Sequence, residues 1–517
     1  MPTPRRHGGA PLQYTPLNMP GFRGLNKQAV GALLGPEWAT RLENTIIDDT
    51  GRLAARAGWT EMTTTTAAAD DFLQLYEEAT TEYIFGSGED NKLYRSTDDG
   101  DTFTDVSGTA TLSDAQGQFL GFNGYVLYAQ SGERLAQYSG TTFTTVADVN
   151  CPTGGVNVAA FGRVWGVTST GKSFRYSALL DHTDWTSADS GLIDMTSIWQ
   201  ADDTITGLAD FNGSLVVFGK RNIVVFNDGQ GSALGVDPLN LYVVDTMQGV
   251  GCVARDSIQS IDGDLWFLSL SGLMSFGRLI QEKSNPIKNV SRHVQDFLGV
   301  YQRGTDPATV RGVYCSSEKF YLLSFPAGVG TTETGVCFCF DTRQAAEDGS
   351  FRCAGIWNRL VPQAAYMRSS GDFIMAYKAQ VGKVGLYGNY NDAAESYVVE
   401  YESGWSDWND PHTKILKRIN GIFFVGGTHN VAFKWAFDFD DSFSTATVTY
   451  TAGASASEYG AGEWSENEFN AGVLLREKSA AGRKSGEHIK IGITDTIDGA
   501  PISLQQISAY AKTGRLR

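Results

Sequence analysis

The chain has 517 residues, of which 42% are hydrophobic and 19% charged, and its 41 basic and 58 acidic residues leave a net charge of −17. That length and apolar content support several domains, or one large repetitive β domain with an extra module, and exclude global disorder. The acidic balance excludes a broad phosphate-binding face, because affinity for DNA rests on Lys and Arg displacing counterions.

The first 66 residues read as an extended arm. Pro2, Pro4, Pro11, Pro16 and Pro20 favour extended backbone, and the opening stretch has charge but no apolar centre, unlike a signal peptide. No run of about 18 apolar residues occurs anywhere in the chain. Residues 62–70, "MTTTTAAAD", read as a linker. Residues 67–394 then become repetitive. "DFLQLYEE", "TEYIFGSG", "NKLYRSTDDG" and "DTFTDVSG" are four short strands with aromatic and β-branched residues inside and Gly, Asp and Asn in the turns. Similar meanders recur along the chain, with turn anchors at Asn123, Gly162, Asn212 and Asp262. A meander recurring every 40–50 residues predicts the blades of a β-propeller, about six of them, closed into a ring that hides the sheet edges. One helix is predicted within residues 285–301, where Ile287, Val290, Val294, Phe297, Leu298 and Tyr301 share a face. Residues 395–517 change texture to longer alternating strands and read as a β-sandwich-like module. The fold class is therefore all-β.

Two motifs raise the question of chemistry. "GVTSTGKS" fits the phosphate-binding pattern G-x-x-x-x-G-K-[ST] at Gly166, Gly171, Lys172 and Ser173. A working loop of this kind opens a helix, whose N-terminus and amides hold the phosphates. The next residues alternate aromatic and polar and carry no helical stripe, so the motif reads as a decoy on a blade hairpin. "STDDGDTF" matches the Asp-box turn found in sialidases and related propellers, through Ser96, Asp98, Gly100, Thr102 and Phe103. That box is a structural turn, and the arginine cluster, Tyr–Glu pair and acid Asp a sialidase needs are not assignable. The six histidines lack ligand spacing and read as surface or turn residues. The six cysteines lack C-x-x-C pairs and read as reduced core residues, consistent with assembly in a reducing cytoplasm. "GQGSALG" at 229–235 reads as a loop, and Asp202–Asp203 and Asp440–Asp441 as solvated turns. No catalytic residue, cofactor or metal is expected.

The arm and the repeats together resemble a known family. Residues 24–59, through Leu25, Asn26, Leu42, Asn44, Asp48, Gly51, Leu53, Arg56, Gly58 and Trp59, resemble the opening of the tail nozzle, or stabilisation, proteins of short-tailed bacteriophages. "FRYSALLDHTDW", "DDTITGLADFNGSLVVFGKRNIVVF", "SLSGLMSFG" and "GWSDWNDPHTKILKRI" are similar to later family motifs, while Ala57 stands where the family has Pro. The resemblance implies a structural virion protein, assembled in the host cytoplasm, in a hexameric ring at the end of the tail. Its implied partners are further copies of itself, a tail adaptor, fibres or spikes, and double-stranded DNA in transit without specific binding; no membrane anchor is expected. The alternative reading is a sialidase-like or glycan-binding propeller acting on surface polysaccharide.

Overall fold

A computed structural model describes residues 12–19, 21–31, 34–64, 71–114, 116–199, 203–228, 237–277, 289–326, 335–377, 382–408, 410–451 and 474–514. The fold is an all-β propeller extended by larger sheets. Six small sheets stand in a ring: blade 1 at 72–105, blade 2 at 118–145, blade 3 at 157–194, blade 4 at 205–248, blade 5 at 259–275, and blade 6 at 362–387. Between blades 5 and 6 the ring is completed by Arg311–Cys315, Phe320–Phe325, Val336–Ala345 and Phe351–Trp357, which are also the first four strands of a ten-stranded sheet.

Local chemistry explains the blades. The first hairpins of blades 2, 4 and 5 turn on paired positive-φ residues: Asn123 (φ 47°) with Gly124, Asn212 (φ 47°) with Gly213, and Asp262 (φ 46°) with Gly263. That is the signature of a two-residue turn whose twist matches the strands. At the third anchor Phe161 (φ 54°) precedes Gly162 and takes the position that Asn or Asp holds elsewhere. The apolar residues pack between blades. Phe85 and Leu93 of blade 1 meet Phe119, Tyr128 and Tyr138 of blade 2, and Val216 and Phe218 of blade 4 meet Leu265 and Phe267 of blade 5.

The arm is not a free extended segment: about half of its described residues form short strands that pair into the sheets. Trp59–Glu61 is the outer strand of blade 6, with Trp59 opposite Tyr387 and Glu61 opposite Gly385. Trp38–Glu43 lies in the ten-stranded sheet between Phe351–Trp357 and Tyr397–Ser403. Thr45–Ile47 and Leu53–Ala55 join a seven-stranded sheet with Lys414–Val425 and Ile502–Thr513, and Leu12–Asn18 runs antiparallel to that last strand. These strands are short and broken by turns, so they show no alternation, and their pairing comes from residues hundreds of positions away. Phe423 of the seven-stranded sheet packs against Phe433 and Tyr450 of the ten-stranded one, which joins the two as a sandwich.

The helix also differs. It spans Gln295–Gly304 after a 3-10 turn at Arg292–Val294, so Val290 and Val294 are buried ahead of it and only Leu298 within it is fully buried. Ile287, most of the linker at 62–70 and the loop at 229–235 lie outside the described residues.

Candidate functional site

The phosphate-loop lookalike folds as a hairpin of blade 3. Arg163–Val167 pairs antiparallel with Ser173–Tyr176, Val167 facing Phe174. The turn closes on itself: the Gly171 amide donates to the Thr168 carbonyl, and the Thr168 and Ser173 hydroxyls lie 2.9 Å apart. Gly171 has φ +68° and Gly166 sits on the strand, where a Cβ would run into Pro152 and come within 3.0 Å of the Asn157 amide oxygen. Both glycines thus have packing or turn reasons. The turn runs directly into the strand Ser173–Tyr176, so the loop faces no helix N-terminus.

The Asp-box turn holds blade 1 together at its third strand. Asp98 accepts from the Thr102 amide at 2.9 Å, the Thr102 hydroxyl at 2.5 Å and the Ser96 hydroxyl at 2.7 Å, and these bonds hold its carboxyl below the usual aspartate range. The Ser96 hydroxyl accepts from the Gly100 amide at 2.9 Å. Gly100 takes φ +89°, and Phe103 packs inward on Phe72 at 4.9 Å.

At the centre of the ring lies a feature with no motif in the sequence. Arg255, just before blade 5, donates to the carbonyls of Gly155, Gln116 and Gly117, which precede the inner strands of blades 3 and 2. Asp256 accepts from Arg255 at 2.6 Å, Arg311 at 2.9 Å and the Gln74 amide of blade 1 at 2.8 Å. Arg311 also reaches the Leu73 carbonyl. Burial would raise the Asp256 carboxyl, but the two guanidinium charges outweigh it and hold the group low. This Arg–Asp–Arg network ties blades 1, 2, 3 and 5 across the axis. Beside it is a cavity of about 220 Å³ that Asp114, Gln116, Thr206, Arg255, Asp256 and Pro307 help to line. The signal that could have found it is an Arg-Asp pair between two apolar blades, which needs buried partners.

The family-signature residues come together elsewhere. Arg56 is fully buried and grips Asp392 with two bonds, 2.8 and 2.6 Å, while donating to Asn44 Oδ1 at 3.2 Å and the Ala57 carbonyl at 2.9 Å. Its guanidinium stands 4.1 Å from the Tyr397 ring centroid, and the Tyr397 hydroxyl donates to the Arg56 carbonyl. Asn44 takes φ 54° and donates to Asn358 and to the Val398 carbonyl. At Gly58 a Cβ would collide with the Asn391 carbonyl, and Trp59 is buried against Tyr377. Leu25 is fully buried, and Asn26 accepts from the amides of Gln28 and Ala29. Gly51 closes the turn begun by Asp48, whose Oδ1 accepts from the Thr50 and Arg52 amides. Asn44, Arg56, Gly58 and Trp59 form one knot where the arm, blade 6 and the C-terminal sheets meet.

Several side chains read as solvated are not. His182 is buried, with Nε2 2.6 Å from Gln137, and His429 is buried with Nδ1 2.8 Å from Asp495. Asp203 is buried and accepts from the Lys220 and Arg221 amides and from Asn222. In each case a polar partner distant in sequence replaces water. All six cysteines are free and buried, and burial pushes the Cys151, Cys252 and Cys353 thiols up to about 12. Among the described residues no group of three or more His, Cys, Asp or Glu is placed to hold a metal, and no helix is long and apolar enough to cross a membrane.

No family model matches the chain, and no curated protein matches it. Among solved structures it is similar to the computationally designed Ika8 protein, with 11% identity and a TM-score of 0.35, over 63% of this chain and 99% of that one.

Proposed function

We propose that this protein is a structural subunit of a short phage tail, one copy of a hexameric nozzle ring through which DNA leaves and on which adaptor and fibres or spikes are mounted. The observation that carries the reading is the knot. The signature residues Asn44, Arg56, Gly58 and Trp59 serve to lock ring to C-terminal sheets. Such a lock suits a part that must transmit load without unfolding. The Arg255–Asp256–Arg311 network ties blades 1, 2, 3 and 5 to one another, and in this reading DNA passes through the ring of subunits and not through one propeller. Residues 67–394 hold 37 acidic and 22 basic residues, so 15 of the 17 excess negative charges lie there. A wall of that sign repels DNA and keeps it from sticking.

The test is co-sedimentation. Particles from the source culture are banded on a density gradient and each fraction is probed for this protein. The reading requires it to travel with DNA-filled particles and to survive a salt wash. Recovery in the soluble fraction alone, with turnover of a surface polysaccharide, would replace it with the glycan-active reading.

A further inference from the structure

The cavity beside the Arg255–Asp256–Arg311 network is walled by segments distant in sequence. Gln116 and Gly155 stand just before the first strands of blades 2 and 3, Thr206 lies in the first strand of blade 4, Arg255 precedes blade 5, and Pro307 precedes Arg311–Cys315. A hollow with polar and apolar walls, formed where several elements converge, is the usual place for a small ligand.

The donors around it are spent. Arg255 gives its guanidinium to the carbonyls of Gly155, Gln116 and Gly117 and to Asp256. Arg311 gives its own to the carbonyls of Leu73, Ala308 and Val310 and to Asp256. The Thr206 hydroxyl donates to the Cys252 carbonyl at 2.6 Å. A phosphate or carboxylate ligand, which needs converging N–H groups, would have to displace these partners. Acceptors remain. Asp114 Oδ1 accepts from the Gln116 amide at 2.9 Å, and no cation pairs with this carboxylate among the described residues. The Gln116 side-chain oxygen has no hydrogen-bond partner among the described residues. The Thr206 oxygen keeps its lone pairs.

Charge narrows the class. The Asp114 charge reaches Arg255 and Arg311 through space, so two guanidinium and two carboxylate groups, Asp114 and Asp256, cancel. A cation would meet both guanidinium groups beside the one carboxylate left open to it. The ligand that suits is neutral and donates hydrogen bonds. The rest of the wall is apolar, with Val156, Val253, Pro307 and Ala308. A pyranose presents both characters, hydroxyls at its rim and C–H bonds on its faces. The volume of about 220 Å³ equals roughly seven waters at liquid density, room for one sugar ring.

We infer that this cavity binds one neutral sugar residue, its hydroxyls donating to Asp114 and Gln116 and its C–H face resting on the apolar wall.

The experiment titrates the purified full chain with glucose, galactose, mannose and N-acetylglucosamine by saturation-transfer NMR. Sialic acid and glucosamine serve as charged controls, and melting temperature as the folding control. At least one neutral sugar is expected to bind saturably, and better than either control. Asp114→Asn keeps an acceptor for the Gln116 amide but removes the charge, so it should weaken binding about ten-fold with the melt unchanged. Ala308→Trp, at an exposed position of the wall, should abolish binding. If it shifts the melt, Pro307→Trp repeats the test under the same criterion. A cavity that holds water only, seen as no saturable binding of any neutral sugar, overturns the site. Tighter binding of sialic acid or glucosamine overturns the neutral class, and sugar binding untouched by both substitutions overturns the assignment to this cavity. The site does not depend on a place in the virion: sugar binding by a protein absent from particles keeps the site and removes the nozzle reading, and a particle-borne protein that binds no sugar does the reverse.

Discussion

Replacing Arg56 by Met tests the knot most directly. Its guanidinium is fully buried and the Asp392 side chain is 6% exposed. Removing one partner of a buried pair strands the other charge, at a cost of about 3–5 kcal/mol. The substitution also removes a bond to Asn44 and the cation–π contact with Tyr397, each on the order of 1 kcal/mol. Arg56→Met is therefore expected to destabilise by about 5–7 kcal/mol. Changing Asp392 to Asn in the same chain relieves the stranded charge, so the double variant should be less than additive by about 2 kcal/mol or more. The assays are urea unfolding followed by tryptophan fluorescence, and hydrogen exchange at Trp59–Glu61 and blade 6. That exchange should accelerate first, because the arm strand is the element the pair pins. A loss below about 1 kcal/mol for Arg56→Met, or strict additivity in the pair, would refute the reasoning.

Other perturbations probe other elements. Lys172→Ala should leave the melt within about 0.5 kcal/mol of wild type, whereas Gly166→Ala should cost about 1–3 kcal/mol by overpacking against Pro152 and Asn157; saturable ATP binding abolished by Lys172→Ala would reverse the hairpin reading. Glu77 is buried and bonded to Arg368 and to the amide and hydroxyl of Ser369; these bonds outweigh burial and lower its pKa from 4.5. Its folded pKa lies below its unfolded one, so its contribution is complete above about pH 4.5 and fades as pH falls through the folded value. Glu77→Gln should accordingly melt below wild type at pH 7, and the gap should narrow in acid. Asp256→Ala leaves Arg255 and Arg311 buried together and should destabilise by about 3–5 kcal/mol, read as a lower urea midpoint.

The blades were legible because each is a local object. The first hairpins of blades 2, 4 and 5 close on two-residue turns, which Asn123, Asn212 and Asp262 announce by residue type. The Asp-box was legible for the same reason, since Ser96, Asp98 and Thr102 bond within one turn. What stayed hidden was built from distant partners. Trp59–Glu61 is three residues long and is a strand only because 384–387 lies beside it. Arg255, Asp256 and Arg311 look like ordinary surface charges until the ring brings them together. The helix was misplaced at its start because Val290 and Val294 are buried for reasons of packing and not of helical period.

The placement of the arm has a consequence for how the chain is made. Blade 6 receives its last strand from Trp59–Glu61, and the strand Leu12–Asn18 waits for its partner Ile502–Thr513. Blades 1 to 5 contain only local pairings and can form as they leave the ribosome, but the ring cannot close until residue 387 has emerged. The seven-stranded sheet cannot form until residue 513 has emerged. A prematurely terminated chain therefore keeps open edges and stranded charge at Arg56. Closure itself acts as a proofreading step that lets only copies extending through residue 513 become rigid parts.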